Sequence, residues 1–565
     1  MKSRAETVKL EGQAKQAIET GRNRLILAGC LVGLAFTAVG ARVVELSALR
    51  NQDEPSARAS LADTELAVGR ADIVDRNGLL VATSLRTPSL YADPKEVLDA
   101  EDAAFRLATA LPDMNPAETA AKLNSDRRFV WLKRSLTPRE QQQVNSLGIP
   151  GVHFLDEWKR IYPQGSLTAH AVGFTDVDDR GIAGVERSFD DVLRGGREPL
   201  RLSIDLRVQH VVREELARQI ATFGAIGGTG VVLDVDTGET IAMVSLPDFD
   251  PNVAGQMDPD SRFNRATLGV YEMGSTFKIF NTAMALDAGT VTMRGGYDAT
   301  NPIRIARFTI SDYHGKGRWL SVPEIFKYSS NIGSVKMAID VGTEGQRDFL
   351  TRLGMLRETT IELPERGRPM IPSPWRPINT MTISFGHGLS ISPMHLASGV
   401  AAIVNGGIRR PVTLLETDVP SPGERVVSER TSRDMRRLMR LVVEDGTGSK
   451  ADSLGYIVGG KTGTAEKVGS GGGYKRKALM SSFVAAFPMH DPRYVVLVMV
   501  DEPKGTKETH GYATGGWVAA PAISRIVARA APLLGVAPVD PKSPEIRRDL
   551  MIEMPAEGGK RLASF

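Results

Sequence analysis

Ser275 and Lys278 stand three positions apart in Tyr271-Glu272-Met273-Gly274-Ser275-Thr276-Phe277-Lys278, a segment that continues as an apolar helix. That spacing places both side chains on one helix face. A serine hydroxyl attacks a carbonyl slowly unless a neighbour takes its proton, and an amine one turn away can do so once its own pKa is depressed. Ser-x-x-Lys recurs by chance, so two later segments carry the weight: Ser329-Ser330-Asn331 and Lys461-Thr462-Gly463-Thr464. Each supplies something acyl transfer requires. Lys461, a second ammonium, would depress the pKa of Lys278 and offer a counter-charge to an anionic substrate. Ser329 can pass a proton to a departing amine, and Asn331 offers both a donor and an acceptor to a peptide amide. Gly463 on a strand permits close backbone approach, while the hydroxyls of Thr462 and Thr464 can bind a carboxylate. The N–H groups of Ser275 and Thr464 are candidates for an oxyanion hole. Singly, these pieces also read as a helix start, a turn and a strand end; together they read as one catalytic constellation.

The elements that must position them are legible on either side. Asp205 can cap a helix predicted from Leu206 to about Phe223, ended by Gly-rich 224–230. Val231 to Val235 and Ile241 to Val244, around Asp236-Thr237-Gly238-Glu239, predict an antiparallel hairpin. Extended runs at Tyr456 to Val458, Ser481 to Phe487 and Tyr494 to Val500 predict a second meander. Strands at both ends with helices between them fit one antiparallel sheet closed by its termini, in a domain over 201–537. A mixed, elongated α+β domain is expected over 67–200. Its opening Asp75-Arg76-Asn77-Gly78 reads as a hairpin turn, and helical patterns run near 99–110 and 116–123. Residues 538–565, polar and proline-containing, are expected to form a poorly ordered tail.

At 565 residues, 42% of them hydrophobic, the chain can hold two or more cored domains. A net charge of +3 with no basic run interleaved with aromatics speaks against nucleic-acid binding. One cysteine, Cys30, excludes an intramolecular disulfide, and the 8 histidines show no zinc-ligand spacing, so neither a metal nor a cofactor is implied. Leu25 to Ala41 is 17 uncharged, mostly apolar residues, predicting one transmembrane helix over 25–45. The basic residues before it place 1–24 in the cytoplasm and everything after about residue 45, the 46–66 linker included, outside. A signal peptide cleaved at Ala38-Val39-Gly40 competes, but the run is long for that. Leu27-Ala28-Gly29-Cys30 resembles a lipoprotein box, but too few apolar residues precede it.

Gly455-Tyr456-Ile457-Val458-Gly459-Gly460-Lys461-Thr462 also fits G-x-x-x-x-G-K-T, a nucleotide-binding signature. A phosphate loop needs a helix after the Lys-Thr, which Gly463 and the glycines at 469 and 471–473 preclude.

The three motifs, in order and spacing, resemble those of the penicillin-binding proteins: Ser-x-x-Lys, Ser-x-Asn and Lys-Thr/Ser-Gly. Arg70-x-x-Ile73-x-Asp75-Arg76-x-Gly78 and Asp234-x-x-Thr237-Gly238-x-x-x-Ala242-Met243 are similar to the pedestal and transpeptidase entry of class B members. Arg160-Ile161-Tyr162-Pro163-Gln164-Gly165, Thr168-Ala169-His170, Gly173-Phe174-Thr175 and Gly181-Ile182-x-Gly184-x-Glu186 resemble the division-specific branch. Ala71 and Met273 stand where that pattern has Gly and Pro; neither removes a reacting group. The resemblance implies an α+β, penicillin-binding/serine β-lactamase-like transpeptidase domain, an antiparallel sheet flanked by helices, on an elongated pedestal behind one N-terminal transmembrane helix. It implies a D,D-transpeptidase that takes a D-Ala-D-Ala stem peptide, forms an ester on Ser275 and passes the acyl group to an amine of a neighbouring stem. β-Lactams would acylate the same serine. The implied partners are peptidoglycan stem peptides, the membrane, a septal SEDS-type glycosyltransferase and single-span division proteins. The implied location is the inner membrane, single-pass, with the catalytic domain periplasmic. A β-lactamase or β-lactam sensor shares the chemistry, but no Glu-x-x-Leu-Asn segment lies between Ser329 and Lys461 to activate water, and a pedestal would go unexplained.

Overall fold

The computed structural model describes residues 22, 26–40, 69–305, 308–468 and 473–552. They fall into two units, Met1–Val68 and Gly69–Phe565. In the first, residues 26–40 are helical, with Leu31, Leu34 and Phe36 exposed. Among the described residues no helix is long and apolar enough to cross a membrane. The rest of the predicted 25–45 span and the 46–66 linker lie outside them, as does 1–24 apart from residue 22.

The second unit opens with a five-stranded sheet: β1 (Ile73–Val74), β2 (Leu80–Ala92), β3 (Val130–Lys133), β4 (Val152–Ile161) and β5 (Leu200–Arg201). Asp75 makes the β1–β2 turn by accepting the N–H groups of Asn77 and Leu79, each at 2.8 Å. β2 pairs with β4 along its length, from Thr83 opposite Ile161 to Ala92 opposite Val152. Thirteen residues of strand reach roughly 40 Å. At the far end, α1 (Ala100–Ala110), α2 (Pro116–Leu123) and α3 (Pro138–Asn145) close over Leu90, Leu107, Leu123 and Val144 as a separate small core. Asp99, Asn115 and Thr137 cap these helices, each accepting backbone N–H groups.

The large sheet has the order β8-β9-β10-β6-β7, with β6 (Gly227–Asp234), β7 (Thr240–Leu246), β8 (Gly459–Val468), β9 (Tyr474–Phe487) and β10 (Tyr494–Asp501), all antiparallel. Chain-early and chain-late strands therefore meet in its middle. Both faces are covered, which explains the Val-rich runs. Val231, Leu233, Val495 and Leu497 point into one core, while Val232, Val496 and Val498 point into another. The second core is roofed by α4 (Leu206–Phe223) and α9 (Ala520–Leu533). The first is filled by α5 (Lys278–Asp287), α6 (Asn331–Arg352), α7 (Pro393–Val404) and α8 (Glu429–Asp445). α5 is buried on every side, with Ile279, Phe280, Ala283 and Met284 nearly inaccessible and the polar Lys278, Asn281 and Thr282 buried among them.

Two expectations fail. Tyr456 to Val458 is not a strand: Tyr456 bridges back to Ser453 in a turn, and pairing begins only at Gly459. Its apolar residues are buried without joining the ladder. The region read as a tail contains α10 (Pro544–Leu550), capped by Ser543 and buried through Leu550. A helix this short has too little periodicity to register among polar neighbours; residues 553–565 lie outside the described ones.

Candidate active site

The Ser275 segment is a single 3-10 turn, Gly274–Phe277, that runs directly into α5 at Lys278. Gly274 is left-handed, φ +54°, and its N–H donates to Gly386 O at 3.1 Å. A Cβ on Gly274 would lie 2.5 Å from Thr464 O, so only glycine lets this turn touch β8. A Cβ on Gly463 would likewise lie 2.9 Å from Met273 O. The turn and the strand are in backbone contact at both points.

Around that contact, the five predicted reacting side chains converge. Lys278 Nζ lies 3.2 Å from Ser275 Oγ, 3.0 Å from Ser329 Oγ, 2.6 Å from Ser329 O and 2.7 Å from Asn331 Oδ1. Lys461 Nζ reaches the same Ser329 Oγ at 3.0 Å. Ser329 thus bridges two lysines. It does so from a left-handed backbone, φ +58°, a conformation that costs a non-glycine residue about 1–3 kcal/mol and is concentrated at functional sites.

Both amines are almost inaccessible, and among the described residues their hydrogen-bond partners are hydroxyl, carbonyl and amide oxygens rather than carboxylates. Burial pushes Lys278 well below the ordinary lysine value, Lys461 pushes it further, and Asp312 opposes. Desolvation, which the motifs alone do not reveal, stands ahead of the second lysine among the causes. Burial alone draws Lys461 down to about 7. A neutral Lys278 has two N–H donors and one lone pair. Ser329 O and Asn331 Oδ1 can only accept, so they take the two N–H bonds. The lone pair is left to a serine hydroxyl, the state of a general base.

Thr462 and Thr464 sit on β8 opposite Phe483 and Ser481 of β9. Their hydroxyls contact Thr447 Oγ1 at 2.9 Å and the N–H of Gly515 at 3.2 Å. β8 is the edge of the sheet, pairing only with β9 among the described residues. It remains a strand through Val468, so no helix follows Lys461-Thr462 as a phosphate site needs.

Two contributors were invisible to motif reading. Asp312 accepts the N–H groups of Asn331 at 2.6 Å and Ile332 at 3.0 Å, and the Ser330 hydroxyl at 2.7 Å, pinning the start of α6. Thr447 extends the hydroxyl row of Thr462. Neither stands in a recognisable spacing; a lone Asp among β-rich residues upstream of Ser-Ser-Asn is the only trace of the first.

A family model for the penicillin-binding protein transpeptidase domain matches residues 228–528, and one for the penicillin-binding protein dimerisation domain matches 65–215. The chain is 43% identical over 481 residues to the probable peptidoglycan D,D-transpeptidase FtsI of Caulobacter vibrioides, covering 83% of this chain and 82% of that protein. It is 33% identical over 565 residues to the peptidoglycan D,D-transpeptidase FtsI of Escherichia coli, covering 93% and 94%. Among solved structures, a peptidoglycan synthetase from Bifidobacterium adolescentis superposes with a TM-score of 0.67 at 22% identity, over 85% of this chain and 97% of that one. That last likeness speaks to the fold alone. With both family models spanning the two halves of the large unit, and the three motifs meeting at one point, the chain belongs to the penicillin-binding proteins, among the FtsI-type peptidoglycan D,D-transpeptidases.

Proposed function

We propose that this protein crosslinks peptidoglycan stem peptides through an acyl-enzyme on Ser275. The observation that carries the reading is the single amine of Lys278 held among Ser275 Oγ, Ser329 Oγ and Asn331 Oδ1. Neutral Lys278 takes the Ser275 proton as Oγ attacks the carbonyl of the penultimate D-alanine. The N–H groups of Ser275 and Thr464 receive the oxyanion. As the C–N bond breaks, the proton passes from Lys278 by way of Ser329 to the leaving D-alanine amine. Asn331 holds the donor's amide, and charged Lys461 with Thr462 and Thr464 holds its terminal carboxylate. A β-lactam, which presents a carboxylate beside a strained amide, acylates the same atom and stays.

The reading extends to the setting. Residues 67–200 serve as pedestal and 201–537 as catalytic domain, a span over 25–45 anchors the chain with 1–24 cytoplasmic, and the catalytic domain works in the periplasm. A septal SEDS-type glycosyltransferase and single-span division proteins are the partners. Support for these comes from the apolar run after Arg24 and the likeness to FtsI proteins. Fluorescent penicillin should label wild type and leave Ser275→Ala unlabelled at equal protein loading. A labelled Ser275→Ala band would remove the nucleophile from Ser275.

A further inference from the structure

The hydroxyls of Thr462 and Thr464 face a surface that the first half-reaction leaves unused. Gly515 N–H donates to Thr464 Oγ1, and a Cβ on Gly516 would stand 3.6 Å from Thr462 Cγ2. The next residue, Trp517, lies nearly parallel to Tyr512, planes 7° apart and centroids 6.5 Å apart. Lys450 Nζ stands 4.2 Å from the Trp517 ring centre, and His510 meets the same ring in a T-shape at 6.1 Å. Tyr512 is 44% exposed, and His510 and Lys450 are exposed beside it. The loop bearing Tyr512 is closed by its own backbone. Gly511 N–H donates to Thr506 O and Tyr512 N–H to Thr509 O, both at 2.9 Å, with His510 left-handed at φ +53°. A ring such as Tyr512, fixed by an ordered loop yet left in water beside the half-buried Trp517, presents rigid apolar area at little conformational cost.

We propose that Tyr512, Trp517 and Lys450 form the acceptor subsite, which receives the amine-bearing side chain of a neighbouring, uncrosslinked stem peptide; this rests on the transpeptidase reading above. The direction follows from the donor. With its terminal carboxylate on Thr462 and Thr464, the leaving D-alanine occupies the end of the site that faces Gly515–Val518. The second half-reaction is the first run backwards with a different amine, so the acceptor enters where D-alanine left. Its nitrogen bonds to the ester carbon, the bond to Ser275 Oγ breaks, and one amine proton returns to Oγ by way of Lys278. The rings cover the aliphatic part of the acceptor side chain. The Lys450 ammonium disfavours a second cation nearby and so favours the neutral, nucleophilic amine.

The test uses the full chain in detergent. The donor is a stem pentapeptide ending in D-Ala-D-Ala, the acceptor a stem tripeptide with a free side-chain amine, and crosslinked and hydrolysed products are counted by mass spectrometry. Trp517→Ala should lower the crosslink-to-hydrolysis ratio about tenfold, the scale of one lost aromatic contact. Lys450→Glu, a surface change, should lower it severalfold, while penicillin acylates Ser275 at the wild-type rate in both. An unchanged ratio in both variants, or a loss of penicillin acylation equal to the loss of crosslinking, overturns the acceptor subsite. Absence of D-alanine release and of Ser275 labelling in wild type overturns the transpeptidase reading instead, so the two failures are distinct.

Discussion

A lysine buried without a carboxylate partner sheds its proton more readily, because its charged form lacks solvation. Lys278 and Lys461 are both in this position, and the consequence for stability has a definite sign. Unfolded, each binds its proton up to about 10.5; folded, Lys461 releases it near 7 and Lys278 also well below the ordinary value. Between those limits the unfolded chain holds more protons, so stability rises with pH, and below the folded value the full penalty applies. Lys461→Met should therefore raise the melting temperature at pH 7 and flatten its rise toward alkaline pH, while penicillin acylation collapses. A variant that melts lower at pH 7 would contradict the assigned burial penalty. At this scale the sequence was most informative: all five side chains that converge at the site stood in three short motifs. Their protonation was less legible, because desolvation depends on what packs around α5 and β8 from distant parts of the chain.

Elements hold those residues in register. Asp312 anchors the start of α6 through two backbone N–H groups and the Ser330 hydroxyl, and so places Ser329 and Asn331 against Lys278. It is a positioning residue, and its charge opposes the depression of Lys278. Asp312→Ala should cost about 1 kcal/mol of stability as a lost cap and slow penicillin acylation. It should also move the acid limb of the acylation profile to lower pH, because Lys278 would then shed its proton more readily. Asp312→Asn should recover part of the rate with the limb still displaced. An unmoved limb in both variants would reduce Asp312 to a cap alone. Helices with side-chain caps, such as α4 behind Asp205, could be bounded from sequence because the cap is local. The start of β8 could not, since what separates Tyr456 to Val458 from Gly459 is the partner strand, not the residues themselves.

Across the large unit, the stretch matched by the dimerisation-domain model is two things rather than one. Its base shares a continuous core with the catalytic body: Ile73, Val81, Tyr162 and Val185 belong with Val231, Phe280 and Met394. Buried Glu186 joins Arg70 and, at 2.7 Å, Arg160 there, and Gln209 ties Leu167 O to Met243. The distal head has its own small core. Hydrogen exchange should show α1 to α3 opening below the global free energy while Val81 and Ala82 exchange only with the body. A single exchange class over both would sink this division. Sequence composition could not draw that line, because base and head share one strand, β2.

The open edge of β8 has a consequence on an evolutionary scale. A ligand that adds to an edge strand is recognised largely through peptide groups, which no side-chain substitution can delete. On β8 a lineage under pressure from an acylating inhibitor therefore has only side chains such as Lys461, Thr462 and Thr464 to change, the same ones the proposed function gives to the substrate's carboxylate. The accessible escape is to alter how quickly Ser275 reacts, through supports such as Asp312 that touch neither ligand, and every such step slows wall synthesis as well.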